Sequence, residues 1–127
     1  MGDYWKALEF YERGLNINKE ALPSNHPAFG TFYTNIGQVY NNLGDYSKAL
    51  DFGQRGISIN ESALPTNHPS LAVSYSNVGE ILNNIGDYRK SLQFHEKALI
   101  IREKSLPEDH HLTKRTKEHI TDVKKKF

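Results

Sequence analysis

The chain repeats with a fixed period of 42 residues, and no other feature limits its fold as strongly. Gly2-Asp3-Tyr4, Gly44-Asp45-Tyr46 and Gly86-Asp87-Tyr88 open three successive copies. Leu22-Pro23, Leu64-Pro65 and Leu106-Pro107 mark the same point in each. Residues 2–43 and 44–85 share 22 identities in 42 positions, and three such blocks plus Met1 account for all 127 residues. A period in this range is the mark of a stacked array, in which each unit buries its apolar face only against its neighbours.

Within the period, each copy reads as two helices. Tyr46, Ala49, Leu50, Gly53, Gly56, Ile57, Ala63 and Leu64 follow helical spacing, widened by Phe52 and Ile59. Pro65 stops that helix because it has no N–H and its ring clashes with the preceding turn. Asn67 in Thr66-Asn67-His68-Pro69 is the expected N-cap of the next helix. That helix carries Leu71, Tyr75, Val78, Gly79, Leu82 and Ile85, and Gly86 closes it with a tight turn. The preceding copy offers Phe29, Phe32, Tyr33, Ile36, Gly37, Tyr40 and Leu43. Small residues recur where helices must cross closely: Gly37 and Gly79; Ala7, Ala49 and Ser91; Gly14, Gly56 and Ala98. Glycine inside a helix costs up to about 1 kcal/mol relative to alanine, so its repetition at one register implies a close approach that offsets the cost.

Composition removes several classes of function. With no cysteine, neither a disulfide framework nor a thiolate metal site is possible, and a reducing, cytoplasmic location is expected. No apolar run reaches the roughly 18–20 residues of a membrane span. Met1 runs straight into repeat sequence, so no signal peptide is expected. The net charge of +1 is uneven: residues 1–112 carry −3 and residues 113–127 carry +4. No phosphate loop, nucleophile motif or paired-carboxylate arrangement is present, so no catalytic residue or cofactor is assigned and the protein is read as a non-enzyme. His26, His68 and His110 recur with the period, each at a turn, which points to a structural role. His110, His111 and His119 lack the spaced acidic or sulfur partner that zinc would need, so no metal is assigned.

The pattern Tyr75-x-x-Val78-Gly79-x-x-Leu82, then Gly86-Asp87-Tyr88-x-x-Ser91-Leu92, then Ala98-Leu99, resembles a tetratricopeptide repeat. That family's usual unit is about 34 residues, and this one adds eight after the second helix, residues 103–110 in the last copy. The longer form, with Ala98-Leu99-Ile100-Ile101-Arg102-Glu103-Lys104 and the Asn67-His68-Pro69 turn, is similar to the repeats of kinesin light chains. The resemblance covers residues 2–110 and implies an all-α, right-handed superhelical array of antiparallel helix pairs. On this reading residues 1–127 form one array. An orphan second helix (3–22) precedes repeats at 26–64 and 68–106, and a capping helix (110–126) ends the chain. The last helix keeps Leu112, Thr116, Ile120, Val123 and Phe127 but has Lys117, His119 and Thr121 where Tyr75, Asn77 and Gly79 stand in the copy before.

The resemblance also implies a binding groove lined by the first helix of each repeat. It places Thr31, Thr34, Asn35, Gln38, Asn41 and Asn42 there, followed by Val73, Ser76, Asn77, Glu80, Asn83 and Asn84. An amide side chain both donates and accepts, so such a stripe can pair with an extended peptide backbone. Asn35 and Asn77 match the family position that often holds a ligand's main chain. The stripe lacks the lysines and arginines that some members use to clamp a carboxylate, so that mode is not expected.

The implied function is a protein-interaction scaffold for a peptide or partner helix, akin to a kinesin-light-chain adaptor. One alternative is a regulatory appendage or fragment of a larger protein. Another is weak binding of RNA or an anionic membrane through Lys114, Arg115, Lys117, Lys124, Lys125 and Lys126. Glu118 and Asp122 interrupt that charge, so nucleic acid and membrane are disfavoured as partners. Finally, Tyr4, Leu8, Tyr11, Leu15 and Leu22 of helix 3–22 are not expected all to be covered by the one helix that follows, and Trp5 is expected on the surface. Self-association through helix 3–22 is therefore a further expectation.

Overall fold

The computed structural model describes residues 2–127, and at Gly2 the backbone only. Among the described residues there are six α-helices and no strand. They are α1 (Gly2–Ala21), α2 (Pro27–Leu43), α3 (Tyr46–Ala63), α4 (Pro69–Ile85), α5 (Tyr88–Ser105) and α6 (His111–Lys124). The chain divides into two compact units, Met1–Leu64 with α1–α3 and Pro65–Phe127 with α4–α6.

Each boundary has a local chemical cause. α2, α4 and α6 start at a histidine. His26 Nδ1 accepts from the Ala28 N–H, His68 Nδ1 from Ser70 and His110 Nδ1 from Leu112, each at 3.1 Å. This is the structural role expected of the periodic histidines. It also corrects the expected Asn67 cap by one residue: the imidazole of His68 satisfies the free backbone donor. α3 and α5 start at Asp45 and Asp87, whose Oδ1 atoms accept from the Lys48 and Lys90 N–H groups at 3.3 Å. α2 and α4 end at Gly44 (φ 84°) and Gly86 (φ 100°). A side chain would be strained in that left-handed conformation. α3 and α5 end at Leu64 and Leu106, both extended, because the following prolines exclude a helical residue before them.

In the first unit α1 and α3 both pack on α2. Leu8, Leu15, Phe29, Ile36 and Val39 form the buried cluster. Each such side chain contributes about 1.5–3 kcal/mol relative to exposure. Tyr4, Tyr11 and Leu22 pack against the same cluster. Leu8 and Leu15 of α1 are buried, while Tyr4 and Tyr11 of α1 and Leu22 just beyond its end are half-buried, so the stripe is covered only in part. The bare apolar side chains of α1 are Trp5 (64% exposed), as expected, and also Phe10 (70%) and Ile17 (68%).

α2 and α3 meet through small residues. A Cβ on Gly37 would lie 3.0 Å from the Ala49 carbonyl oxygen and 3.1 Å from the Gly53 nitrogen, and one on Gly56 would lie 2.6 Å from Thr34 Oγ1. At Gly37 and Gly56 the neighbouring backbone leaves little room for a side chain.

In the second unit α5 packs on both α4 and α6. Leu71, Tyr75, Val78 and Leu82 of α4 are buried, as are Ala98 and Ile101 of α5 and Ile120 and Val123 of α6. Here the close crossing is filled differently. A Cβ on Gly79 would lie 2.8–2.9 Å from the His95 ring, and the Ser91 hydroxyl donates to the Gly79 carbonyl at 2.6 Å.

Candidate protein-interaction surface

Thr31, Asn35, Gln38 and Asn42 fall at i, i+4, i+7 and i+11, a single face of α2. Thr31 and Asn42 are exposed, and Asn35 and Gln38 are half-buried. Val73, Asn77, Glu80 and Asn84 form the equivalent face of α4. Val73 and Asn84 are exposed there, while Asn77, Glu80 and Asn83 are half-buried. Thr34, Asn41 and Ser76 are instead buried. Thr34 is turned toward α3, as its distance from Gly56 requires. The helical period explains this: residue 34 lies three places from 31 but falls on the flank that meets the neighbouring helix.

The open faces carry unused hydrogen-bonding capacity. Gln38 Nε2 donates to Asn42 Oδ1 at 3.4 Å, while Gln38 Oε1 is buried with no partner. Asn83 Oδ1 is likewise buried and unpaired. A buried acceptor without a donor costs about 1–3 kcal/mol, so a donor that reaches it binds favourably.

The second unit adds a polar cluster that sequence reasoning missed. Glu80 Oε1 lies 4.0 Å from Arg115 Nη2 and 3.8 Å from His119 Nε2. Residues 115 and 119 occupy, one period on, the positions of Val73 and Asn77. The stripe itself carries no lysine or arginine, but α6 brings Arg115 beside its α4 part. The ion pair itself contributes at most about 1 kcal/mol, because Arg115 is largely solvated. Behind it, the buried Arg102 guanidinium donates to Thr116 Oγ1 at 2.7 Å, and that hydroxyl donates to the Leu112 carbonyl at 2.7 Å. Burial and the nearby Arg115 lower the proton affinity of Arg102, while Glu80 raises it.

His95 is 1% exposed, and its ring centroid lies 5.1 Å from that of His119. Burial first, then the positive potential of His119 and Arg102, pushes its imidazole down to about 4. Its Nδ1 has no hydrogen-bond partner, as for His119 Nδ1 and Thr113 Oγ1. The signal for this cluster was the departure from the repeat. His95 stands one period after Gly53 and Arg102 one period after Asn60, and α6 departs as well, with Arg115 and His119 one period after Val73 and Asn77.

Lys114, Arg115, Lys117, Lys124, Lys125 and Lys126 are all exposed, with the Lys126 ammonium 5.1 Å above the Tyr88 ring. Among the described residues no three His, Cys, Asp or Glu side chains converge as metal ligands. None of the described helices is long and apolar enough to cross a membrane.

Comparison with known proteins agrees with this geometry. The tetratricopeptide repeat family matches residues 1–62 and again residues 71–112. No curated protein matches the sequence. Among solved structures, the chain is similar to nearly identical TPR-like repeats from a Podosopora anserina protein described as a kinesin light chain. The TM-score is 0.89 at 19% identity, over 98% of this chain and 59% of that one. It is also similar to BtubC (BKLC) from P. vanneervenii, with a TM-score of 0.86 at 23% identity, over 98% of this chain and 50% of that one. The chain thus spans between half and three fifths of the length of these structures. Two family matches over most of the sequence, six helices of which α2–α6 are capped, and glycine-lined crossings lead to one conclusion. The chain belongs to the tetratricopeptide repeat family, as an all-α helical array of the protein-interaction scaffold type.

Proposed function

We propose that the chain is an adaptor that holds an extended peptide or a partner helix against an amide-rich helix face, that of α2 in the first unit and that of α4 in the second. The observation that carries this reading is the buried, unpaired acceptor Gln38 Oε1 on the α2 face beside Asn35 and Asn42, with Asn77 and Asn84 at the equivalent places on α4. These faces offer donors and acceptors with almost no fixed charge. That suits main-chain recognition, in which the peptide backbone supplies affinity and side-chain pockets supply selectivity. Glu80, with Arg115 beside it, adds one polar anchor at the α4 face. The similarity to kinesin-light-chain repeats supports an adaptor role. The protein acts by binding alone, and the cysteine-free sequence supports a cytoplasmic setting.

The test is an unbiased peptide-display screen on the purified chain, followed by calorimetry of the selected peptides. Asn35→Ala and Asn77→Ala are each expected to weaken binding by about 0.5–1.5 kcal/mol while leaving the helical spectrum unchanged. Equal affinity in the double variant would move the site off these faces.

A further inference from the structure

Two buried imidazole nitrogens of the second unit lack a partner, and they belong to neighbouring rings. His95 of α5 is 1% exposed and its Nδ1 makes no hydrogen bond. His119 of α6 is half-buried, with its ring centroid 5.1 Å from that of His95, and its Nδ1 is equally unpaired. The other nitrogen of His119, Nε2, lies 3.8 Å from Glu80 Oε1 on α4. The order across the three helices is therefore carboxylate, imidazole, imidazole. Arg115, four residues before His119 on α6, reaches the same Glu80 oxygen at 4.0 Å. Arg102 of α5 adds positive potential at His95, and its guanidinium is held by Thr116. Asp122, three residues after His119, is exposed.

This arrangement belongs to the second unit and not to the repeat in general. One period before Glu80 and His95 stand Gln38 and Gly53, and neither side chain titrates. The accessibility of the site does follow the repeat. Thr31 and Val73 are exposed at the places equivalent to Arg115, and Asn35 and Asn77 are half-buried at those equivalent to His119.

With both histidines neutral, each unpaired Nδ1 is a buried polar atom without compensation. One added proton on His119 removes both defects. Its Nε2–H then meets the Glu80 carboxylate. Its Nδ1–H meets the lone pair of His95 Nδ1 once the two rings rotate about their own side-chain bonds. His95 has to stay neutral to accept. Burial first, then the positive potential of His119 and Arg102, pushes its imidazole down to about 4. It is therefore still an acceptor over the range in which histidine changes charge, about pH 8 to about pH 5.

We propose that Glu80, His119 and His95 act as a single-proton switch on the face between α4 and α6. A proton taken from solvent at His119 draws the Glu80 carboxylate onto the imidazolium and away from the donors of an incoming ligand. Loss of that proton returns the carboxylate to the α4 face beside Arg115. The regulation of docking rests on the peptide-binding role of the α4 face, and the proton switch itself does not.

The experiment is an NMR titration of the full, ligand-free, isotope-labelled chain from about pH 8 to about pH 5. Imidazole nitrogen shifts report the charge and tautomer of each histidine, and the side-chain carboxyl carbon of Glu80 reports its pairing. His119 is expected to become an imidazolium while His95 keeps one unprotonated nitrogen. The Glu80 carbon moves with the midpoint of His119, and the side-chain amide of Gln38, its counterpart on α2, stays in place. His119→Gln abolishes the Glu80 response. Glu80→Gln and His95→Gln each move the His119 midpoint to lower pH, because each removes an acceptor for the imidazolium. Glu80 is only half-buried, so Glu80→Gln provides the test even if His95→Gln does not fold. The proposal is overturned if His95 takes the proton before His119, if Glu80 does not follow His119, or if Glu80→Gln leaves the His119 midpoint unchanged. It is equally overturned if Gln38 and Glu80 move together, which marks unfolding of the chain in place of a local switch. Failure to select any peptide for the α4 face would refute the docking role and leave these shifts as they are.

Discussion

Acid should destabilise this protein in part through His95, and His95→Gln isolates that part. His95 is sealed between α4 and α6, against Gly79 and near His119 and Arg102, and its imidazole is pushed from 6.5 down to about 4. In the unfolded chain the same group titrates at its ordinary value. Between pH 6.5 and 4 the unfolded state therefore binds the proton and the folded state does not. The stability associated with neutral His95 is complete above about pH 6.5 and is lost progressively as the pH falls toward 4. At 1.36 kcal/mol per pH unit, the drop from 6.5 to about 4 corresponds to a loss of about 3 kcal/mol across the window. That is a large share of the roughly 5–15 kcal/mol typical of a domain. Urea unfolding followed by circular dichroism at pH 7, 6, 5 and 4 measures it. Other histidines and carboxylates titrate too, so the quantity of interest is the difference in slope between wild type and His95→Gln. The variant should lose about 1.4 kcal/mol per pH unit less than wild type, whatever its stability at pH 7. Parallel pH profiles for the two proteins would refute the burial argument.

Three further substitutions test the packing and the caps. Gly79→Leu forces a side chain into space held by the His95 ring and should cost about 1–3 kcal/mol, read from the urea midpoint; an unchanged midpoint would mean α4 and α5 do not cross there. Gly86→Ala meets no neighbour but must adopt φ near 100°, so a loss of about 1–2 kcal/mol in thermal unfolding is expected from backbone strain alone. His68→Ala removes the Nδ1 acceptor at the start of α4 and should cost about 0.5–2 kcal/mol, whereas Asn67→Ala should be close to neutral if His68 is the cap.

Much of this architecture is legible without coordinates, because its causes are local. Pro65 and Pro107 end helices by covalent geometry, Gly44 and Gly86 by tolerance of positive φ, and Asp45 and Asp87 start them with a carboxylate in reach of a free N–H. The 42-residue period ensures that what holds in one copy holds in the next. The histidine caps were half-legible: periodicity marked His26, His68 and His110 as structural, but only the imidazole geometry separates His68 from Asn67.

The stripe on α2 and α4 was legible as a set of faces and less so residue by residue. Helical spacing alone cannot tell that Thr34 turns toward α3 while Thr31 stays open, because both lie within one broad arc.

What the sequence determined by itself is the repeat, the helix pair within it and the glycine crossings, since each rests on covalent limits or on spacing along one chain. Only the tertiary structure decided which apolar residues of α1 are satisfied. Leu8 and Leu15 find α2, while Phe10 and Ile17, alike in hydrophobicity and in register with covered residues, stay exposed. It alone also brought His95, Arg102, Glu80, Arg115 and His119 together, from three helices separated by up to 39 positions. Burial and electrostatic coupling depend on distances through space, which a sequence pattern does not specify until the helices are packed.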